Sequence, residues 1–359
     1  MSDPIPYLNL SPTSEDVPEI PNVGERTKMR WAAILRKFAL TSEDWEVLLD
    51  SIETGRCTPF LGAGACVPTL PLGAQLANEW AERFRYPLED RDLSKIAQYV
   101  AVTHRDGLYP KSILARWFQN SSCPDFNAAN QVHRLLAEFP LPVYVTTNYD
   151  DFMWQALQAA DKKGARRDFC RWNDDLRFKA DELDLPPPVF EEIPPYEPDP
   201  EKPIVFHLHG HKNHPDSLVL TEDDYVDFLI AISKNEELLP PRITRAFSRS
   251  TLLFVGYSLA DWNFRLLFRK LVTYIQQGSN KKRAHLSVQV EPFAGNDDVL
   301  LKQRIRAIKY LNQYYSELNI RVFWGDCEAF TKVLRKKWEK RHAAPLPAMR
   351  KQMSGKNPA

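Results

Sequence analysis

Residues 143–151 read Val-Tyr-Val-Thr-Thr-Asn-Tyr-Asp-Asp, a short apolar run that stops abruptly in hydroxyls, an amide and two acids. A run without polar alternation suits a strand buried on both faces, and such strands belong to parallel sheets covered by helices. In open α/β sheets, ligands bind at the carboxyl ends of these strands. Thr147, Asn148 and Asp150 therefore fall where chemistry is done, although Asn and Asp at a strand end can equally close a turn through side chain to backbone bonds. Three distant stretches share the form. Residues 57–61 run into Gly62-Ala63-Gly64, residues 203–208 into His209-Gly210, and residues 251–255 into Gly256-Tyr257-Ser258. Alternating with helical-period segments, they predict an α/β chain with a Rossmann-like, doubly wound parallel sheet and helical insertions.

The chain has 359 residues, enough for one large domain with insertions. Residues 1–25, rich in Pro, Ser, Asp and Glu, read as an N-terminal arm. A domain over 26–340 follows, opened by two helices with Thr41-Ser-Glu-Asp44 as a capping box. Helical spacing across about 86–125 predicts a small cap inserted between the first two strands. Between Asp174 and Glu201 stand ten acids and seven prolines, too much proline for a fixed helix or sheet, so 174–202 is read as an acidic excursion. Further strands are expected at 216–220, 284–290 and 320–324. A helix is expected over 327–340, before a basic tail at 341–359.

The formal net charge is zero, which argues against a global preference for nucleic acid or an anionic membrane. Residues 332–356 hold nine Lys or Arg against one Glu; this is read as a solvated end, with nucleic-acid contact the lesser reading. The five cysteines are odd in number and never spaced C-x-x-C, so neither a disulfide framework nor a four-cysteine zinc site is written here. His207, His211 and His214 lie close in sequence but lack carboxylates or cysteines at ligand spacing, and no metal is expected. No signal sequence opens the chain and no apolar run reaches about 18 residues, so a cytoplasmic location is expected.

Two glycines between strand and helix, as in Gly62-Ala63-Gly64, let the backbone approach a phosphate. Val67 stands where a third glycine would complete the usual dinucleotide fingerprint, so the turn alone is also compatible with a purely structural role. Strand alternation would put Val205, His207 and His209 on one face, with His209 at the strand end.

Taken in order, Gly62-Ala63-Gly64, Thr146-Thr147-Asn148-Tyr149-Asp150, His207-Leu208-His209-Gly210 and Gly256-Tyr257-Ser258-Leu259 resemble the sirtuin-like family over roughly residues 50–335. The resemblance is closest to its bacterial branch, which destroys NAD in antiphage defence. It implies that Gly62, Ala63 and Gly64 hold the NAD pyrophosphate, and that Asn148 and His209 are catalytic. It places Asp150 near the nicotinamide end, counts Thr147 among the cofactor-binding residues, and puts Gly256 and Ser258 on the adenosine side. Cys66 stands where family members often carry serine, and Thr147 where deacylases carry glutamine. The four-cysteine module with which sirtuin deacylases build a peptide cleft is missing. A stand-alone chain of this length also resembles those that form homo-oligomers with a HerA-type hexameric ATPase.

The residue types agree with that chemistry. Nicotinamide leaves NAD as a neutral molecule, so cleavage needs no general acid on the leaving side and develops oxocarbenium character at the ribose. An acceptor for a ribose hydroxyl or water and an amide that both donates and accepts are needed; His209 and Asn148 are of those types. The expected activity is NAD hydrolysis to nicotinamide and ADP-ribose. The alternatives are a module that binds NAD or ADP-ribose without turnover and gates a partner, or protein deacylation or ADP-ribosyl transfer.

Overall fold

The computed structural model describes residues 36–257, 268–269, 284–289 and 298–343. The strands are β1 (Cys57–Leu61), β2 (Val143–Thr146), β3 (Arg166–Phe169), β4 (Ile204–His207), β5 (Thr251–Val255), β6 (His285–Gln289) and β7 (Ile320–Trp324). They form one seven-stranded sheet in the order β3-β4-β2-β1-β5-β6-β7, and every pairing is parallel. The chain leaves β1 toward β2 on one side and later returns to place β5 on the other. The strand order thus reverses at β1, and the crevice beyond the carboxyl ends of β1 and β5 is where this fold receives ligands.

Both faces of the sheet are covered. Phe60, Val145, Phe206, Phe254 and Val322 point to one side, where helices α8 (Glu222–Lys234), α9 (Pro241–Arg249) and α10 (Asp298–Ser316) supply Phe228, Phe247 and Ile308. Leu61, Tyr144, Val205, Val255 and Phe323 point to the other, against α1 (Ser42–Glu53), α5 (Val132–Glu138), α6 (Phe152–Ala159) and α11 (Cys327–His342). This is the doubly wound arrangement that the apolar runs predict, because strands buried on both faces carry no alternation. The expected capping box is present: Thr41 Oγ1 accepts from Asp44 N–H and Asp44 accepts from Thr41 N–H.

Between β1 and β2 the chain forms α2 (Gly73–Arg83), α3 (Leu93–His104) and α4 (Leu108–Gln119), which bury Leu76, Trp80, Ile96, Val100 and Leu114 around Leu220. Within the acidic excursion, only α7 (Asp174–Phe178) and a 3-10 turn at Val189–Glu191 are regular.

Besides the short helix α7 in a segment read as lacking one, the structure differs from the sequence reading in further elements. β3 was not expected, and neither was α10. No strand forms at 216–220: Pro215–Ser217 is a 3-10 turn and Leu218, Val219 and Leu220 are buried without ladder pairing. The arm at 1–25, most of the tail at 341–359, and Ser258 lie outside the described residues.

Gly256 has φ +81°, and a Cβ there would sit 2.2 Å from Ala65 N and 2.7 Å from Gly62 O. Gly256→Ala is therefore expected to lower unfolding stability by at least about 2 kcal/mol, combining backbone strain and a clash with main chain. Urea denaturation measures this; a change within error would mean that the two glycine turns do not meet as described.

Candidate active site

Four loops converge at the carboxyl end of the sheet. The chain after β1 turns through Gly62 into a short 3-10 helix, Ala63–Cys66. Its Gly62 N–H donates to Val255 O and its Gly64 N–H to Gly256 O, both at 2.9 Å. A Cβ on Gly62 would come within 2.8 Å of Gly256 O, and one on Gly64 within 2.9 Å of Gly256 Cα. Glycine at all three positions is thus what lets the β1 and β5 loops touch. Ala63 is exposed at the apex.

Tyr257 fastens the same junction. Its hydroxyl donates to Leu61 O (2.7 Å) and lies 2.9 Å from Thr147 Oγ1. Thr147 N–H also donates to Leu61 O, so Thr147 reaches the β1 loop both through its main chain and through Tyr257.

Asn148 follows β2, half-buried. Its N–H donates to Thr146 Oγ1 (2.9 Å), and its side-chain Nδ2 donates to Gly62 O (3.1 Å) and Cys66 Sγ (3.2 Å). With two acceptors engaging Nδ2, the amide oxygen Oδ1 is the end left to face a ligand. Cys66 in turn donates its S–H to Asp150 Oδ2 (3.2 Å), while Asp150 Oδ1 accepts from Phe152 N–H (2.8 Å) and starts α6. Burial raises the Asp150 carboxyl above its usual range and, with the neighbouring Asp150, pushes the Cys66 thiol well up. Cys66 is accordingly a protonated bridge between the amide and the acid, doing what a serine hydroxyl could do.

The two histidines of the HLHG stretch part company. The alternation expected through Val205, His207 and His209 ends with β4 at His207. Beyond it, Gly210 at φ +85° turns the chain over Ser217. His209 therefore packs edge-on to Tyr225 (5.4 Å) and Phe228 (5.0 Å), on the α8 side. His207 instead meets the Asn148 carbonyl through Nδ1 (3.0 Å) and the edge of His211 (4.8 Å). Leu208 N–H bonds to Thr146 O (2.8 Å) and keeps the His209 turn beside the β2 end. Burial holds the His209 ring down to about 3, so near pH 7 it is neutral and keeps an acceptor lone pair.

Behind this row lies a charged cluster that the sequence reading did not pick out. Asp151 accepts from Arg167, from His211 Nε2 (2.7 Å) and from Lys212 Nζ (3.2 Å). Burial opposes its charge, but the His211 hydrogen bond and the two cations hold it well below the usual carboxylate range. The adjacent acid pair Asp150-Asp151 was the visible signal: one member faces Cys66, the other the cations. Among the described residues, no group of His, Cys, Asp or Glu is gathered as a metal site, and no helix is long and apolar enough to cross a membrane.

Comparison with known proteins finds similarity at the level of the domain and over most of the chain. Residues 142–318 match the SIR2-like domain. That segment begins just ahead of β2 and takes in Asn148, His209 and Gly256. The chain is 26% identical over 257 residues to an NAD(+) hydrolase ThsA from Cytobacillus dafuensis, covering 69% of this chain and 45% of that one. It is 23% identical over 306 residues to the ThsA of Acinetobacter baumannii (81% and 55%), and 23% identical over 276 residues to that of Enterococcus faecium (71% and 48%). The chain thus spans about half the length of the curated relatives it matches.

Three buried histidines contribute to the acid behaviour of this molecule. Burial lowers His133 to about 4 and His207 and His209 to about 3, against about 6.5 in an unfolded chain. Because the folded values are depressed, the unfolded state takes up protons first. The stability from keeping these rings neutral is complete above about pH 6.5 and falls as pH drops toward the folded values. At pH 5 each ring should cost about 2 kcal/mol relative to pH 8. Asp150, whose carboxyl is raised, acts in the opposite sense where it titrates. Urea midpoints at the two pH values should differ accordingly, and His133→Phe should remove about one proton from the uptake. Equal midpoints would show that the rings are not held neutral.

Proposed function

We propose that this protein is an NAD glycohydrolase, cleaving NAD to nicotinamide and ADP-ribose. The carrying observation is the setting of Asn148 at the glycine junction: its Nδ2 donates to Gly62 O and Cys66 Sγ, which leaves Oδ1 as the amide's remaining hydrogen-bonding group. The similarity to NAD(+) hydrolases supports the choice of substrate.

In this reading the pyrophosphate lies along the Gly62-Ala63-Gly64 and Gly256 junction, where the absence of side chains admits a close backbone approach. Asp150, Thr147 and Cys66 border the nicotinamide end, and Ser258 belongs to the adenosine side. The ribose C1′–N bond breaks with its electron pair passing to the pyridinium nitrogen, so nicotinamide departs neutral and the ribose carries oxocarbenium character. Water oxygen bonds to C1′ and its proton passes to solvent. Asn148 Oδ1 accepts from that water and fixes its direction. His209, neutral with a lone pair, accepts from a ribose hydroxyl or from the water. Neither residue need change charge.

Unchecked NAD loss would kill a cell, so the activity fits a defence role in which an assembly holds it in check. A homo-oligomer joined to a HerA-type ATPase is the partner arrangement we propose. The test follows nicotinamide and ADP-ribose released by the purified chain, alone and with such an ATPase. Equal amounts of both products support the reading. NAD bound but intact under both conditions would leave a binding module in its place.

A further inference from the structure

We propose that His207 is a positioning residue that fixes the main chain of Asn148, and that it is kept for turnover at the expense of stability. This rests on the hydrolase reading for its kinetic consequence, but its structural consequence stands apart from it.

His207 closes β4 and is 1% exposed. Its partner is a carbonyl, so the proton sits on Nδ1 and is donated to Asn148 O at 3.0 Å. The other nitrogen, Nε2, is buried without a hydrogen-bond partner. An unmet buried acceptor is unfavourable, and a phenylalanine of similar size would carry none. Packing therefore does not explain a histidine here; the bond to Asn148 does.

That bond completes a set. Asn148 is held through its side chain by Gly62 and Cys66 and through its N–H by Thr146, all groups of β1, its loop and β2. Among the described residues, its carbonyl is held from β4. The next carbonyl, Tyr149 O, accepts from Lys212 N–H (3.0 Å), and Lys212 is itself paired to Asp151. Two successive carbonyls are thus clamped by the β4 loop, opposite the clamp on the amide. Release of the first would let the Asn148 peptide plane rotate and carry Oδ1 with it, and small misplacements of a reacting or orienting group are costly in rate. His209, on the other face, takes no part in this clamp.

The test compares His207→Phe and His207→Gln with wild type for kcat, KM for NAD, melting temperature and hydrogen exchange across residues 147–151. In His207→Phe we expect a melting temperature equal to or above wild type, kcat lower by about 10- to 100-fold with KM within about twofold, and faster exchange over that segment. His207→Gln, which can still donate, should recover part of both the rate and the protection. An unchanged kcat, or a loss of rate that simply follows a loss of melting temperature, overturns the proposal. Should wild type consume no NAD, the hydrolase reading fails separately. Exchange then decides this one, since unchanged protection at 147–151 in His207→Phe refutes the clamp.

Discussion

Asn148→Ala should leave NAD bound and reduce its consumption by at least about 100-fold, the usual scale for removing one preorganised hydrogen-bonding group from the point where charge develops. The substitution removes Oδ1 and, with it, the acceptor proposed to aim the water. It also frees Gly62 O and Cys66 Sγ, but the glycine junction keeps its own bonds, Gly62 N–H to Val255 O and Gly64 N–H to Gly256 O, so the dinucleotide cradle should survive. Calorimetric titration with NAD beside a product assay separates the two effects. Retained binding with lost turnover is the expected result. Lost binding would make Asn148 part of the cradle, and retained turnover would remove it from the mechanism. His209→Ala should also lose turnover, while Cys66→Ser, which can replace both the donor to Asp150 and the acceptor for Asn148, should retain most of it.

The sheet was legible because burial on both faces leaves an unmistakable mark: continuous apolar runs that end in glycine or a polar residue. What escaped reading did so for physical reasons. β3 is Arg-Arg-Asp-Phe, an edge strand paired only to β4, and a strand with one neighbour and charged partners shows neither an apolar run nor alternation. Leu218-Val219-Leu220 showed such a run and is buried, yet among the described residues its main chain reaches the β4 end through Val219 N–H to His209 O rather than through a ladder. An apolar run reports burial, not pairing. The roles of His207 and His209 could not be separated by period-2 counting, since the period holds only while the strand lasts and the positive φ of Gly210 ends it. Asn148 was singled out as a candidate from its position at a strand end. Its orientation was not legible, because that depends on Cys66 and Gly62, more than 80 residues away.

Lys111→Met should destabilise the protein by about 3–5 kcal/mol, the range expected when one partner of a buried ion pair is removed. Lys111 belongs to α4 in the inserted helices and Asp224 to the first turn of α8; they meet at 2.7 Å with both side chains nearly enclosed. Asp224 cannot simply relax toward solvent, because its other oxygen accepts from Leu220 N–H and Thr221 N–H and so starts α8. The charge would remain where it is, unpaired, beneath the helices. Lys111→Met with Asp224→Asn should recover much of the loss, since an asparagine can keep accepting those two N–H groups without a buried charge. Denaturation of wild type, both single variants and the double variant gives the coupling directly. Losses that merely add would mean that the pair contributes nothing beyond its parts. A large coupling would identify this contact, together with the Gln98–Asp223 bonds beside it, as the link that holds the inserted helices over the segment running from His209 to α8. Any signal that opens the crevice by moving those helices would then have to break it.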